Sequence, residues 1–305
     1  CGAGVAGAAP RERPTMTGLD AVLSLGFALQ IARISLPYAM AAMGAGITER
    51  AGVVDLAVEA KLLIGAFAAA VCAHATGSVL LGMVGGAVGG ALIAGVQWLC
   101  TVRLPGDQVI VGVALNLCAM SGTRTGLQAL YGEGSNSPPV PAVGDALLAN
   151  PMLWTCGLAC VGVWFLTRRH WFSVRWRAVG DLPEAVHAAG GSVAKTRAVA
   201  LLIGGALAGV GGAQLSLSVG VFSAEMSAGR GYLALAAVIL ANWRPLRAAA
   251  IAVAFAGAEA LNIQLQLADS VIPRELAPLL PYLFALLVLA GVGGGRRPPA
   301  ALGKR

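Results

Sequence analysis

Apolar residues run along this chain in long blocks separated by short polar punctuation. Residues 62–102, 146–167, 198–224 and 276–295 contain no Lys, Arg, Asp or Glu. Uncharged apolar runs of about 18 residues or more mark helices that cross a bilayer. The pattern predicts helical spans over residues 21–46, 78–100, 109–130, 152–167, 198–217, 248–266 and 275–292, with 232–241 apolar but short for a full crossing. Thr48-Glu49-Arg50 forms a polar break, and residues 51–74 are apolar overall but carry Asp55, Glu59 and Lys61 in their first half. Glycines at 82, 85, 86, 89, 90 and 95 in the 78–100 block predict close helix–helix approach, since small residues let backbones meet in lipid.

Composition agrees with that pattern. The chain is 57% hydrophobic and 11% charged, with a mean hydropathy of +0.78, whereas a soluble domain is about 25% charged. One globule cannot bury so many uncharged segments, so the fold class is an all-α, polytopic transmembrane bundle of about eight spans. The expected organisation is a disordered tail over 1–20, a membrane domain over 21–293 and a basic tail over 294–305. The net charge of +7 sits mostly at segment ends, which is the positive-inside pattern and speaks against a nucleic-acid groove. Six cysteines lack CxxC spacing and histidine partners, so neither a metal site nor a disulfide framework is expected. Cys1 has no Met before it, and Met16 is the expected native start.

Arg168, Arg169, Arg175, Arg177, Lys195 and Arg197 fall within 30 residues of one another, and Arg244 and Arg247 follow the 232–241 segment. These regions and the C-terminal tail are predicted to be cytoplasmic, while the loop 131–151, free of Lys and Arg, is predicted to be external. Five apolar segments precede residue 168. An odd number of crossings would put the N-terminus outside despite Arg11 and Arg13. The simpler expectation is that 51–74 is a broken or re-entrant helix that does not fully cross, with its charges facing a polar cavity.

Between two apolar blocks stands RAVGDLPEAVHAAGG, residues 177–191. Pro183 suits a first helical turn, Asp181 is placed to cap it, Glu184 favours the positive dipole end and Gly190-Gly191 stops it. The segment 176–192 therefore reads as a short capped helix with a small-residue face, Ala185 and Ala188 included. Such a helix makes a knob for a groove in another protein, or an ordinary connection. Other polar groups lie at membrane depth, where they must face protein or water. Asp55 and Glu59 share a face if the segment is helical, Asn116 is mid-segment, and Glu259, Asn262 and Gln266 form one stripe at i, i+3, i+7. These six are candidates for a translocation path. The stripe also reads as a hydrogen-bonded helix seam, and Asp55 with Lys61 also reads as an internal salt bridge in a broken helix.

RAVGDLPEAVHAAG resembles the coupling-helix segment of ABC-importer permeases of the branched-chain amino acid/ribose type, a pattern near R-A-x-G-x-x-P-x-A-A-x-x-x-G. ITERAGVVDLAVEAKLLIGAF (47–67) is similar to the I-S-E-R-x-G-V-V-N-x-x-x-E-G segment of the nucleoside, basic-membrane-protein-dependent branch. DQVIVGVALNL (107–117) is similar to its N-Q-I-V-x-G-x-A-L-N-L, and AGRGYLALAAVILANWRP (228–245) to its G-R-G-[FY]-x-A-L-A-A-V-I-F-G-x-W-x-P. The departures are Asp55 for Asn, Ala60-Lys61 for Gly-Met, and Ala241-Asn242 for Gly and a basic residue.

The resemblance implies one permease subunit with no catalytic residues and no cofactor. ATP would be bound by two partner ABC ATPase domains, in keeping with the lack of a GxxxxGK[ST] motif. It implies coupling to them through Arg177, Gly180, Asp181, Pro183, Glu184, Ala185, Ala188 and Gly190. It further implies a second permease subunit in a heterodimer, an external substrate-binding lipoprotein docking near 131–151 and 219–230, and a bacterial inner-membrane location. Nucleosides are the implied substrate, with sugars, branched-chain amino acids or riboflavin-like solutes as alternatives. An ion-coupled secondary transporter is the competing class, for which no inverted repeat is visible.

Overall fold

The computed structural model describes residues 25–143, 150–168, 170–267, 279–291 and 297–304. The expected tail at 1–20, Arg169 and the start of the expected span at 275–292 lie outside these residues. The chain is helical: α1 Leu25–Arg50, α2 Val58–Thr76, α3 Val79–Trp98, α4 Gln108–Tyr131, α5 Pro151–Arg168, α6 His170–Asp181, α7 Pro183–Ala188, α8 Val193–Val219, α9 Arg230–Leu240, α10 Pro245–Leu267 and α11 Leu280–Gly291. A π-helical turn, Leu99–Arg103, ends α3. Residues 58–76, 79–103, 193–219 and 245–266 form helices long and apolar enough to cross a bilayer.

Small residues decide how these helices pack. α1 runs antiparallel to α8, with Gly44 against Gly204 and Gly211 against Pro37. α3 sits antiparallel to both α2 and α8, through Gly82 on Ala73, Gly86 on Ala213 and Gly90 on Gly205. A Cβ on Gly209 would come within 2.1 Å of the Gly86 carbonyl oxygen. These approaches place backbone on backbone, as the glycine run predicted. Dispersion at such short range replaces the hydrophobic driving force that lipid cannot supply.

One end of the bundle gathers Arg50, Arg168, α6, α7, the π turn and residues 297–304, where the Ala301 amide donates to Gly180 at 2.8 Å. The other end gathers Gly77, Tyr131 and Gly220; there His74 stacks edge-on against Tyr131, and residues 135–143 hydrogen-bond to 217–224. We call these the basic end and the far end.

The expectation of a broken helix between 51 and 74 holds, but the segment does not turn back. Residues 51–57 are non-helical turns, and α2 then continues to Thr76 at the far end, parallel to α4, with Leu56 beside Gly112 and Phe67 beside Gly126. Among the described residues, α1, 51–76, α3, α4 and α5 precede α6, and the start of α1 lies at the end opposite Arg50. The expectation of an incomplete crossing rests on keeping Arg11 and Arg13 inside, and those residues lie outside the described ones; the charges of 51–74 are accommodated in a full pass by the Lys61–Asp55 pair. The polar break at 48–50 is likewise helical, being the last turn of α1. The short 230–240 helix is the second half of a pass whose first half, 221–229, is irregular.

Gly209→Ala is expected to destabilise the purified protein by about 1–3 kcal/mol through overpacking. Gly122→Ala, at a position where a Cβ meets nothing within 4 Å, should be neutral or stabilising. Thermal unfolding followed by size-exclusion fluorescence separates the two.

Candidate functional site

A non-helical stretch inside a membrane bundle leaves backbone N–H and C=O groups that must find partners within the protein. In residues 51–53 the amides donate to the last carbonyls of α1, at Thr48 and Glu49, while several groups of 54–60 are met by side chains from other helices. The Val54 amide donates to Gln108 Oε1 at 2.7 Å, and Gln97 Nε2 donates to the Val54 carbonyl at 3.1 Å. Asn116 is fully used: its Oδ1 accepts from the Ala60 amide at 2.9 Å, while its Nδ2 donates to the Leu56 carbonyl at 2.9 Å and to the Tyr232 hydroxyl at 3.0 Å. Gln108, Gly112 and Asn116 are spaced i, i+4, i+8, so one face of α4 grips the whole unwound strand.

The charges of this region are paired. Lys61 Nζ donates to Asp55 Oδ1 with both side chains buried. Asp55 and Glu59 do not share a helical face, because the chain at 55–57 is not helical; the expectation of an i, i+4 pair fails for that reason. Glu59 turns instead to the start of α9, where its two carboxylate oxygens accept the amides of Gly229 at 2.8 Å and Gly231 at 2.7 Å. A carboxylate suits the positive end of a helix dipole and satisfies N–H groups that have no intrahelical partner. Gly231 must lack a side chain, since a Cβ would lie 2.6 Å from Glu59 Oε2.

Arg230, between those glycines, ion-pairs with Glu259 of α10, whose second oxygen accepts from the Tyr38 hydroxyl. Asn262 is buried and its Oδ1 accepts from Gln266 Nε2 at 2.9 Å. The polar stripe of α10 is thus divided, Glu259 joined to Tyr38 and Arg230, Asn262 joined to its neighbour Gln266. None of Asp55, Glu59, Asn116, Glu259, Asn262 or Gln266 lines the cavity of about 480 Å³ between α1, α8 and residues 223–230. That cavity is lined instead by Gln30, Asn150, Gln214, Ser218, Ser223 and Arg230, among others. Gln214 is buried and its Oε1 has no hydrogen-bond partner among the described residues. Sequence reasoning missed Gln97 and Gln214, although each is a polar side chain inside an apolar run and that signal was available; Gln108, in the polar turn at the start of α4, carried no such signal.

At the basic end, Glu49 Oε2 accepts from Trp243 Nε1 at 2.7 Å and Glu49 Oε1 from the Asp55 amide at 3.4 Å. Arg50 pairs with Asp181 at 3.7 Å. Asp181 is the last residue of α6 rather than a cap; Leu182 occupies the cap position of α7 and makes no side-chain bond. Arg177 donates to the Thr167 carbonyl at 3.3 Å. Gly180 presses on the end of α1, where a Cβ would come within 2.1 Å of the Arg50 carbonyl oxygen. α7 projects beyond α6, anchored by buried Val186; Glu184, Ala185 and Ala188 are exposed, Pro183 is half-buried, and Gly190, at φ +75°, ends it.

Residues 27–290 match the family described as branched-chain amino acid transport system / permease component. The chain belongs to this permease family. It is 36% identical over 248 residues to a putative glucose ABC transporter permease protein, TsgC13, of Haloferax volcanii, covering 74% of each chain. It is 27% identical over 293 residues to the guanosine ABC transporter permease protein NupQ of Bacillus subtilis, covering 88% of this chain and 92% of that one. It is 29% identical over 293 residues to the nucleoside ABC transporter permease protein NupC of Lactococcus lactis, with the same coverage. No solved structure matches the chain. As a family member with these apolar helices, it is a multi-pass membrane protein.

The permease motifs quoted from the sequence converge on the unwound strand. Glu49 and Arg50 come from the first, Gln108 and Asn116 from the second, Gly229 to Gly231 and Trp243 from the third, and Gly180 from the coupling segment. Two departures from the motif, Asp55 for Asn and Lys61 for Met, are each other's partner in this fold. Removing one member of a buried pair strands the other charge at a cost of about 3–5 kcal/mol, while replacing both can be neutral. Asp55→Asn and Lys61→Met are each expected to lower thermal stability strongly, and the double variant to recover most of it. Equal losses in the double and single variants would remove the pairing.

Proposed function

We propose that this chain is the membrane-spanning subunit of an ATP-driven importer that takes up nucleosides. The observation that carries the proposal is the abutment of the 177–190 segment, through Gly180 and Asp181, on Arg50 at the mouth of the unwound strand. In this reading the strand is the moving part. Two partner ABC ATPases grip the exposed face of α7, Glu184, Ala185 and Ala188, and nucleotide hydrolysis takes place on them. Their closure displaces α6, which bears directly on residues 50–52. From there a displacement reaches Glu59 and, through its hold on Gly229 and Gly231, α9 and the Arg230–Glu259–Tyr38 cluster. Interfaces and packed elements switch between discrete arrangements rather than bend continuously, so a small push at one end can open the other.

Nucleosides are favoured by the two relatives named for guanosine and nucleosides, which align over 88% of the chain. The cavity at Gln214 adds a physical reason. Its lining of amides and hydroxyls, with an unpaired amide oxygen, suits a neutral solute rich in hydrogen-bonding groups. A sugar is the second reading, supported by the Haloferax relative. The basic end is cytoplasmic under the positive-inside rule. An external binding lipoprotein would then deliver solute to the far end. Among the described residues, α1, 51–76, α3, α4, α5, α8, 221–240, α10 and α11 are read as the crossing segments, near the expected number of about eight. A second permease, as a heterodimer in the bacterial inner membrane, completes the assembly.

Cells expressing the chain with its neighbouring ATPase and permease subunits are expected to accumulate radiolabelled guanosine or uridine, with competition by unlabelled nucleosides but not by glucose or leucine. Glu184→Arg and Ala188→Trp should each lower uptake sharply while leaving membrane insertion unchanged. Full uptake and ATPase co-purification in both variants would remove α7 as the coupling element. Competition by glucose alone would move the substrate to the sugar class.

Gln214→Leu provides a separate check on the cavity. It should raise the KM for nucleoside uptake by about tenfold, the scale of one lost buried hydrogen bond, with little change in folding because leucine is an apolar side chain of similar bulk.

A further inference from the structure

At the basic end a cleft of about 490 Å³ opens between the end of α5, the end of α1 and the α9–α10 turn. Its walls carry Arg50, Arg168, Arg177, Arg244 and Arg247, with Trp164 at its mouth. Only Arg50 is paired with a carboxylate, Asp181, among the described residues. Arg168 lies over the Trp164 ring at 5.0 Å, which holds its guanidinium at the cleft. Several like charges around one cleft repel each other, so the arrangement is stabilised by an anion that several guanidiniums can share. The fork geometry of arginine matches phosphate oxygens, which accept two parallel hydrogen bonds.

The surroundings decide which phosphate. Trp154, Leu158, Val161 and Phe165 form an exposed stripe along α5 at helical spacing, 51% to 72% accessible, and this stripe ends at the cleft. A soluble anion would have no use for such an apolar strip beside its site. An acyl chain would cover it. We propose that the cleft binds the headgroup phosphate of an anionic membrane phospholipid whose acyl chains lie along the exposed face of α5. Basic pockets between helices at the inner surface are a recognised form of lipid headgroup site. Arg50 and Arg177 also touch Asp181 and the end of α5, so an occupied cleft ties the lipid to the position of α6.

The test uses the full chain, purified with the subunits that accompany it and stripped of lipid in detergent. Native mass spectrometry then follows rebinding of phosphatidylglycerol against phosphatidylcholine of the same acyl length. Phosphatidylglycerol is expected to be retained about tenfold better, and Arg244→Gln with Arg247→Gln to bring the two lipids near parity. Inorganic phosphate added at the same concentration should not displace the lipid. If the double variant does not insert, Arg168→Gln, at an exposed helix end, carries the same comparison. Equal retention of both lipids, or a preference unchanged in the variants, overturns the proposal. Displacement by inorganic phosphate assigns the cleft to a soluble anion instead. Loss of the co-purifying ATPase from the variants with lipid retention unaltered assigns it to an acidic surface of that partner.

Discussion

The structure turns on the need to satisfy backbone polar groups where no water can reach them. Residues 51–57 give up helical bonding in the interior of an apolar bundle, and each freed group costs several kcal/mol if left alone. The chain meets much of that demand with buried carboxamides, Gln97, Gln108 and Asn116, which reach the strand from two helices, and with the carboxyl of Glu49 from a third. Neutral carboxamides suit the task, because each can both donate and accept and none brings a charge that would itself need a partner. Once the strand is held, the start of α2 is fixed, and with it the position of Glu59 against α9.

Charge enters this interior only in compensated form. Lys61 sits with Asp55, Arg230 with Glu259 and Tyr38, and Glu59 with two backbone amides. These contacts tie together segments distant in sequence, since Glu59 and Gly229 are separated by 170 positions. The same bonds that remove the cost of burial therefore act as links between elements. A displacement of the strand cannot leave α9 where it was without uncovering Glu59, and that coupling is a consequence of the desolvation penalty.

The rest of the bundle is built for contact at short range. Gly86, Gly90, Gly205 and Gly209 let α3 and α8 meet backbone to backbone, and Gly44 and Gly204 do the same for α1 and α8. A packed centre of this kind is stiff, while the outer faces of α3, α4 and α5 keep large apolar side chains exposed to whatever surrounds the protein. Stiff helices around two non-helical stretches, 51–57 and 221–229, make a body in which motion is confined to few places. α7 stands outside this body, held by Val186 and by its short connection to α6.

The order of apolar blocks was enough to define the fold class and most helices, because a span in lipid is an uninterrupted apolar run and few other structures write that pattern. Helices α3, α4, α5, α8 and α10 begin and end within a few residues of the blocks that announced them. The Asp55–Lys61 salt bridge in a broken helix was legible from their closeness in sequence, whereas the meeting of Glu59 with Gly229 was hidden, since the two carry no common period along the chain. Asp55 and Glu59 share a face only if the segment is helical, and the backbone there is unwound; Asp181 does not cap α7, because helix α6 runs on through it. Local sequence decides what a segment does on its own; which buried group answers which is decided only when the whole chain has packed, because a polar atom removed from water takes whatever partner the fold brings within reach.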